Sequence, residues 1–147
     1  MKVTCKYCGI VNKPHICPNK PKRSRKSYRD RIDSKSYESK QYRKARRVCI
    51  NRFNNKCLWS IYIDGKVKEA EEVHHIVEIL EDESLSNDLD NLITLTGQAH
   101  DKVHELYKIN KEKVQKILRL MMKDYLNGKI EFGKYNKEIS SLTPPIF

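Results

Sequence analysis

The spacing of the histidines constrains this chain more than any other feature. Four of the five lie between Glu72 and His104, as a doublet, His74-His75, and as a pair four residues apart, His100 and His104. The doublet closes an alternating segment. The pair lies in a segment of helical spacing, where His100, Val103, His104 and Tyr107 share one face. Two imidazoles four apart on a helix can grip one cation. A third from a strand end would give three protein ligands with coordination positions left open, the layout of a catalytic metal site rather than a closed structural one. Period two places Glu72 on the face of His74, either as a group that orients an imidazole through its free N–H or as an ordinary surface carboxylate.

Taken with Asp90-Asn91-Leu92 between doublet and helix, these pieces resemble the HNH endonucleases. The likeness spans roughly Trp59 to Tyr107, about a third of the chain. It is greatest to the phage-type HNH proteins and, for the helix with its two histidines, to the nuclease colicins. The resemblance implies an α+β fold: a ββα-metal (HNH) core with flanking helices. It implies that His74, His100 and His104 hold one divalent metal, magnesium, manganese, nickel or zinc, and that His75 is the general base. It also implies that Asn91 hydrogen-bonds the loop that positions that base, although Asp-Asn is equally a simple turn. Glu72 matches a similarly placed glutamate of the nuclease colicins. Phage-type relatives often hold a structural zinc with two CxxC pairs. Here those positions read Cys57, Ser60, Thr96 and Ala99, so that zinc is expected to be absent, with Cys57 and Cys49 plain buried thiols.

Charge points to the partner. The 147 residues carry a net +11. From Lys20 to Arg52 fourteen Lys/Arg stand against three acids, a local excess of +11, so the remainder sums to zero. Such a footprint suits a polyanion whose counterions are released on binding. The basic arm has no apolar face for a membrane, which leaves DNA as the expected partner. Arg43, Arg46, Arg47 and Arg52 are the candidate DNA contacts, on a helix whose Tyr42, Ala45, Cys49 and Phe53 recur at spacings of three and four. A solvated helix face is the plainer alternative. The chain has no apolar run of eighteen residues and no apolar segment near Met1, so neither a membrane span nor a signal peptide is expected, and the location expected is cytoplasmic.

Five cysteines, an odd number, suggest metal binding in a reducing compartment. Residues 1–19 carry Cys5, Cys8, His15 and Cys17, a zinc-knuckle-like set that either binds structural zinc or remains a metal-free tail. Residues 20–36 read as a flexible basic linker, in which Tyr28 could stack on a base. Residues 37–128 read as the nuclease domain with its flanking helices. Within it, Asp64-Gly65 between apolar runs predicts a type I′ hairpin. The acid-rich loop 78–90 is expected to cap helices or face solvent. Val114, Ile117, Leu118, Met121, Met122 and Tyr125 form an apolar stripe, open to core packing or to a homodimer, ended by Gly128. Residues 129–147 read as a loosely ordered tail.

Together these features predict a metal-dependent DNA endonuclease. The resemblance leaves its role open between genome packaging beside phage terminase, restriction and homing. The alternatives are a non-catalytic, metal-stabilised DNA-binding protein and a nuclease directed at RNA.

Overall fold

The computed structural model describes residues 1–20, 37 and 39–143. The basic linker beyond Lys20, with Tyr28, and the terminal residues 144–147 lie outside the described residues. The chain divides into two compact units, Met1–Arg31 and Ile32–Phe147. In the first, strands β1 (Lys2–Cys5) and β2 (Gly9–Asn12) pair as an antiparallel hairpin, with Cys5 opposite Gly9 and Lys2 opposite Asn12.

The second unit is built around a short antiparallel pair, β3 (Glu72–His75) and β4 (Leu92–Leu95), with Glu72 opposite Leu95 and His74 opposite Ile93. Helix α1 (Lys40–Arg52) and helix α2 (Gly97–Leu126) both pack against β4, so every residue of that strand is buried. Helix α1 starts where the Ser39 hydroxyl accepts the Tyr42 N–H, satisfying one orphan donor of its first turn. It buries Tyr42, Ala45 and Cys49, the stripe that the spacing predicts, with Phe53 completing it. Cys49 and Cys57 are both fully buried, and burial pushes the Cys49 thiol up to about 12.

Helix α2 is broken at Asn110, whose φ of −154° and ψ of 83° interrupt the helical path. The Asn110 side chain then accepts the Lys113 N–H and caps the second half. The two predicted helices are therefore two arms of one element. The second arm carries the apolar stripe: Val114, Ile117, Leu118, Met121 and Met122 are buried and Tyr125 packs against the core. At its end Gly128 takes φ 71°, the Gly128 N–H bonds Tyr125 O and the Lys129 N–H bonds Asp124 O. This is a Schellman motif, and it uses the conformation a glycine adopts at no steric cost. None of the described helices is long and apolar enough to cross a membrane.

Two expectations are corrected. The hairpin predicted at Asp64-Gly65 is instead a helical turn. Ser60–Asp64 is a short π-helix closed by Gly65 at φ 67°, with the Lys66 N–H bonded to Ser60 O. Every residue from Cys57 to Ile63 is buried, and a fully buried apolar run does not reveal its period. The Asp-Gly pair that signals a hairpin equally supplies a left-handed helix end. The segment from Lys129 to Thr143, expected to be loose, packs onto the unit through α3 (Asn136–Ser140), burying Tyr135 and Ile139.

That attachment centres on Asp124. Its carboxylate accepts from Lys134 Nζ at 2.8 Å and Tyr135 Oη at 2.5 Å. Burial works to raise the Asp124 pKa, but the hydrogen bonds from Lys134 and Tyr135 outweigh it and the net shift is downward. A lowered carboxyl stabilises the fold fully above its ordinary value of about 3.9, and the contribution is lost as pH falls through the folded value. Asp124→Ala is expected to cost about 1–3 kcal/mol at neutral pH, since it strands a buried phenol. Urea denaturation at pH 7 and at pH 3 checks this: the difference from wild type should shrink at the lower pH.

Candidate active site

Strand β4 runs directly into α2 through Thr96, whose hydroxyl accepts the Ala99 N–H as the N-cap. The first turn of α2 thus begins beside the start of β3, because Glu72 and Leu95 are register partners. This junction brings His100 and His104 of α2 against His74 of β3. The ring centroids of His74 lie 5.2 Å from each of the other two, which are 4.4 Å from one another. Each imidazole offers a ring nitrogen, and these atoms all fall within 4.8 Å of one another. The Nε2 atoms of His100 and His104 are 3.1 Å apart. Two nitrogens sharing a tetrahedral cation at 2.0–2.1 Å would stand about 3.3 Å apart, so the helical pair fits a shared metal closely.

The outward nitrogens of these rings are held. His100 Nδ1 lies 3.2 Å from Glu72 Oε2 and His104 Nδ1 lies 3.5 Å from Glu78 Oε1. Carboxylates on that side favour hydrogen on Nδ1, which leaves Nε2 as the inward-facing ligand atom. His74 Nε2 lies 3.0 Å from the Tyr107 hydroxyl, which itself donates to Ile76 O at 2.7 Å. With its proton committed, Tyr107 can only accept from His74, so His74 carries its hydrogen on Nε2 and its lone pair on Nδ1. Burial drives the His74 pKa well below the ordinary histidine value, reinforced by His100 and His104. Burial and His100 lower that of His104 as well. A lowered His74 and a lowered His104 in one cluster suit a cation.

Glu72 therefore stands where period two predicts it, against an imidazole of the cluster. Glu78 and Tyr107 are the partners that sequence reasoning missed. Glu78 belongs to an acid-rich loop without periodicity, and nothing in its spacing distinguishes it from Glu81 or Glu83. Tyr107 lies on the predicted helix face, where an aromatic reads as packing. The other loop acids behave as expected: Asp82 and Asp88 accept the N–H groups of Ser84 and Asp90 and start short 3₁₀ turns at Glu83–Leu85 and Leu89–Asn91.

His75 stands apart from the three-imidazole cluster. Its ring stacks on Tyr42 at 5.3 Å and meets Tyr37 edge-on at 5.5 Å, and it is 5% exposed. Its Nε2 lies 2.9 Å from Ser86 O, an acceptor only, so Nε2 carries the hydrogen and Nδ1 the lone pair. Asn91 clamps the loop between them. Its Oδ1 accepts the Val77 N–H at 2.7 Å, and its Nδ2 donates to Val77 O at 3.0 Å and to Leu85 O at 3.2 Å. One buried amide thus ties the residue two beyond His75 to the residue preceding Ser86.

The candidate DNA contacts divide. Arg43, Arg46 and Arg47 are exposed along α1. Arg52 instead turns inward, its Nη2 3.2 Å from Asp90 Oδ1. In the N-terminal unit Cys5, Cys8, His15 and Cys17 come together, each offering a ligand atom within 4.8 Å of the others. The backbone N–H of Tyr7 draws the Cys5 thiol down to about 6, while burial pushes that of Cys17 up.

Comparison with known proteins gives one family model and one solved structure. The family model described as HNH endonuclease matches residues 55–106, a span containing the β3–β4 pair and the start of α2. Among solved structures, an HNH endonuclease of the deep-sea thermophilic bacteriophage GVE2, crystallised with manganese ion, is 28% identical. That match covers 49% of this chain and 77% of the other, with a TM-score of 0.46. No curated protein matches.

If the Tyr107 hydroxyl aims His74, Tyr107→Phe should weaken divalent-metal binding about 10–100-fold. Calorimetric titration with manganese measures this, and an unchanged affinity would remove Tyr107 from the site.

Proposed function

From the match of residues 55–106 to the HNH endonuclease family model we infer that this chain is a metal-dependent endonuclease that hydrolyses DNA phosphodiester bonds. One observation carries the reading furthest. Three imidazoles converge, while a fourth, His75, is held outside the cluster by its own acceptor, Ser86 O. Three ligands leave coordination positions open, whereas a structural site would have used the neighbouring histidine to close.

In this reading His74, His100 and His104 would hold one divalent cation, magnesium, manganese, nickel or zinc, with imidazole ligands favouring the last three over magnesium. When bound, the cation would supply positive charge to the phosphate undergoing hydrolysis. Glu72, Glu78 and Tyr107 orient the three rings. His75 takes the proton of the attacking water at Nδ1, while Ser86 O retains the Nε2 hydrogen and fixes the tautomer. Asn91 acts through the loop, holding Ser86 and His75 in register, and is a positioning residue. Arg43, Arg46 and Arg47 are free to track a phosphate backbone from α1, whereas Arg52, paired to Asp90, orders the loop. The product would keep a 5′ phosphate.

The finer role proposed is that of a phage-encoded enzyme linked to genome packaging, with terminase as the partner to test. The likeness of the motif to phage-type HNH proteins supports it.

A supercoiled plasmid tests the chemistry. Wild type with manganese is expected to nick it, and EDTA to abolish nicking. His75→Ala should lower the rate about 10²–10⁴-fold while binding manganese as wild type does. Nicking by His75→Ala at the wild-type rate would remove His75 as the base. DNA binding without cleavage under any of the four metals would favour the metal-stabilised binding protein.

A further inference from the structure

The N-terminal unit has no use in the chemistry above, yet it assembles a second ligand set. Cys17 Sγ lies 3.5 Å from both Cys5 Sγ and Cys8 Sγ. Three sulfurs around a common point at that spacing are not a disulfide, whose sulfurs bond at about 2.05 Å. They approach the separation of about 3.8 Å that thiolates take on one tetrahedral zinc at 2.3 Å. The fourth member, His15, brings an independent sign: its Nε2 is buried and has no hydrogen-bond partner. A buried imidazole nitrogen left unpaired beside three thiols lacks only a cation.

The surroundings fit thiolate ligands. The backbone N–H groups of Tyr7 and Cys8 bond Cys5 Sγ, that of Asn19 bonds Cys17, and Asn19 Nδ2 donates to Cys8 Sγ at 3.5 Å. Gly9, at φ 79°, turns the chain back immediately after Cys8. The unit has little else to hold it. None of residues 1–20 is buried, and Ile10 and Ile16 are 75% and 94% exposed. A hairpin of this size without a core is at best marginally stable in water.

We propose that Cys5, Cys8, His15 and Cys17 form a closed, four-coordinate Cys₃His zinc site that folds the N-terminal hairpin and takes no part in hydrolysis. On binding, the three thiols release their protons to solvent and bind as thiolates, with no change of oxidation state. Four protein ligands leave no position for water or substrate, which separates this site from the open three-histidine one. Residues 1–20 hold four lysines and no acid, so the side chains carry +4 before binding. Zinc with three thiolates contributes −1, and the loaded hairpin remains cationic at +3 ahead of the basic run.

Cobalt titration of the reduced, full-length protein tests the site. Thiolate-to-cobalt charge-transfer absorption reports sulfur ligands and is blind to the imidazole cluster. One equivalent per chain is expected to saturate it, in wild type and in His100→Ala alike, and zinc should erase it. Cys17→Ser should lose most of that absorption. The near-UV signal of Trp59, in the other unit, should be unchanged and certify that the variant is folded. Hydrogen exchange at Lys2–Asn12 should slow on zinc addition in wild type and not in Cys17→Ser. Wild type without thiolate-to-cobalt absorption, or Cys17→Ser retaining it in full, would overturn the proposal whether or not the protein cuts DNA.

Discussion

The junction between Cys57 and Thr96 decides where every other functional group can be. Thr96 is the single residue between β4 and α2, and its N–H is held by Cys57 Sγ at 3.2 Å. The same sulfur accepts the Ser60 N–H at 3.4 Å, and the Thr96 hydroxyl caps the helix at Ala99. Cys57, Ser60, Thr96 and Ala99 are the four positions where phage-type HNH proteins often carry zinc-binding cysteines. Here they still meet, joined by hydrogen bonds through one thiol, one hydroxyl and backbone amides. The direction of α2, and with it the reach of His100 and His104 toward His74, follows from this buried contact.

Around that junction the site is asymmetric. His74 is 3% exposed and lies under the tyrosine that bridges it to Ile76 O, whereas the side chains of His100 and His104 are 30% and 39% exposed. One imidazole is thus buried while two are partly open to solvent beside carboxylates. Glu78 is held in turn by Lys111 at 3.9 Å, and Lys111 also pairs with Glu81, so the loop acids form a chain from solvent to the imidazole. Ile76 O receives both the Tyr107 hydroxyl and the Gln115 side chain at 3.0 Å, which pins both arms of α2 to the end of β3. Asn91 performs the matching task one residue further on, at Val77. The histidine doublet is followed by two buried polar clamps, and the strand ends at the doublet so that each ring can serve a different acceptor.

The clustering of His74, His100 and His104 was legible because i, i+4 spacing and a strand-end doublet are local patterns. The stripe of α1 and the Gly128 end were legible for the same reason. Glu78 and Tyr107 were not, because their partners lie 26 and 33 residues away and no local period encodes the contact. The helical turn at Ser60–Asp64 was hidden because its whole run is buried and its closing Asp-Gly serves two backbone outcomes. Arg52 looked like its neighbours, and only the fold shows that Asp90 claims it. The packing of Tyr135 and Ile139 rests on Asp124, whose role depends on burial rather than on sequence context.

An open three-histidine metal site beside a separate base is the central claim, and a manganese-soaked crystal tests it most directly. Anomalous scattering is expected to place one ion within about 2.2 Å of a single nitrogen from each of His74, His100 and His104, with Glu72 and Glu78 still on the outward nitrogens and His75 still on Ser86 O. An ion that draws His75 in as a fourth ligand, or one that settles elsewhere, would contradict the account.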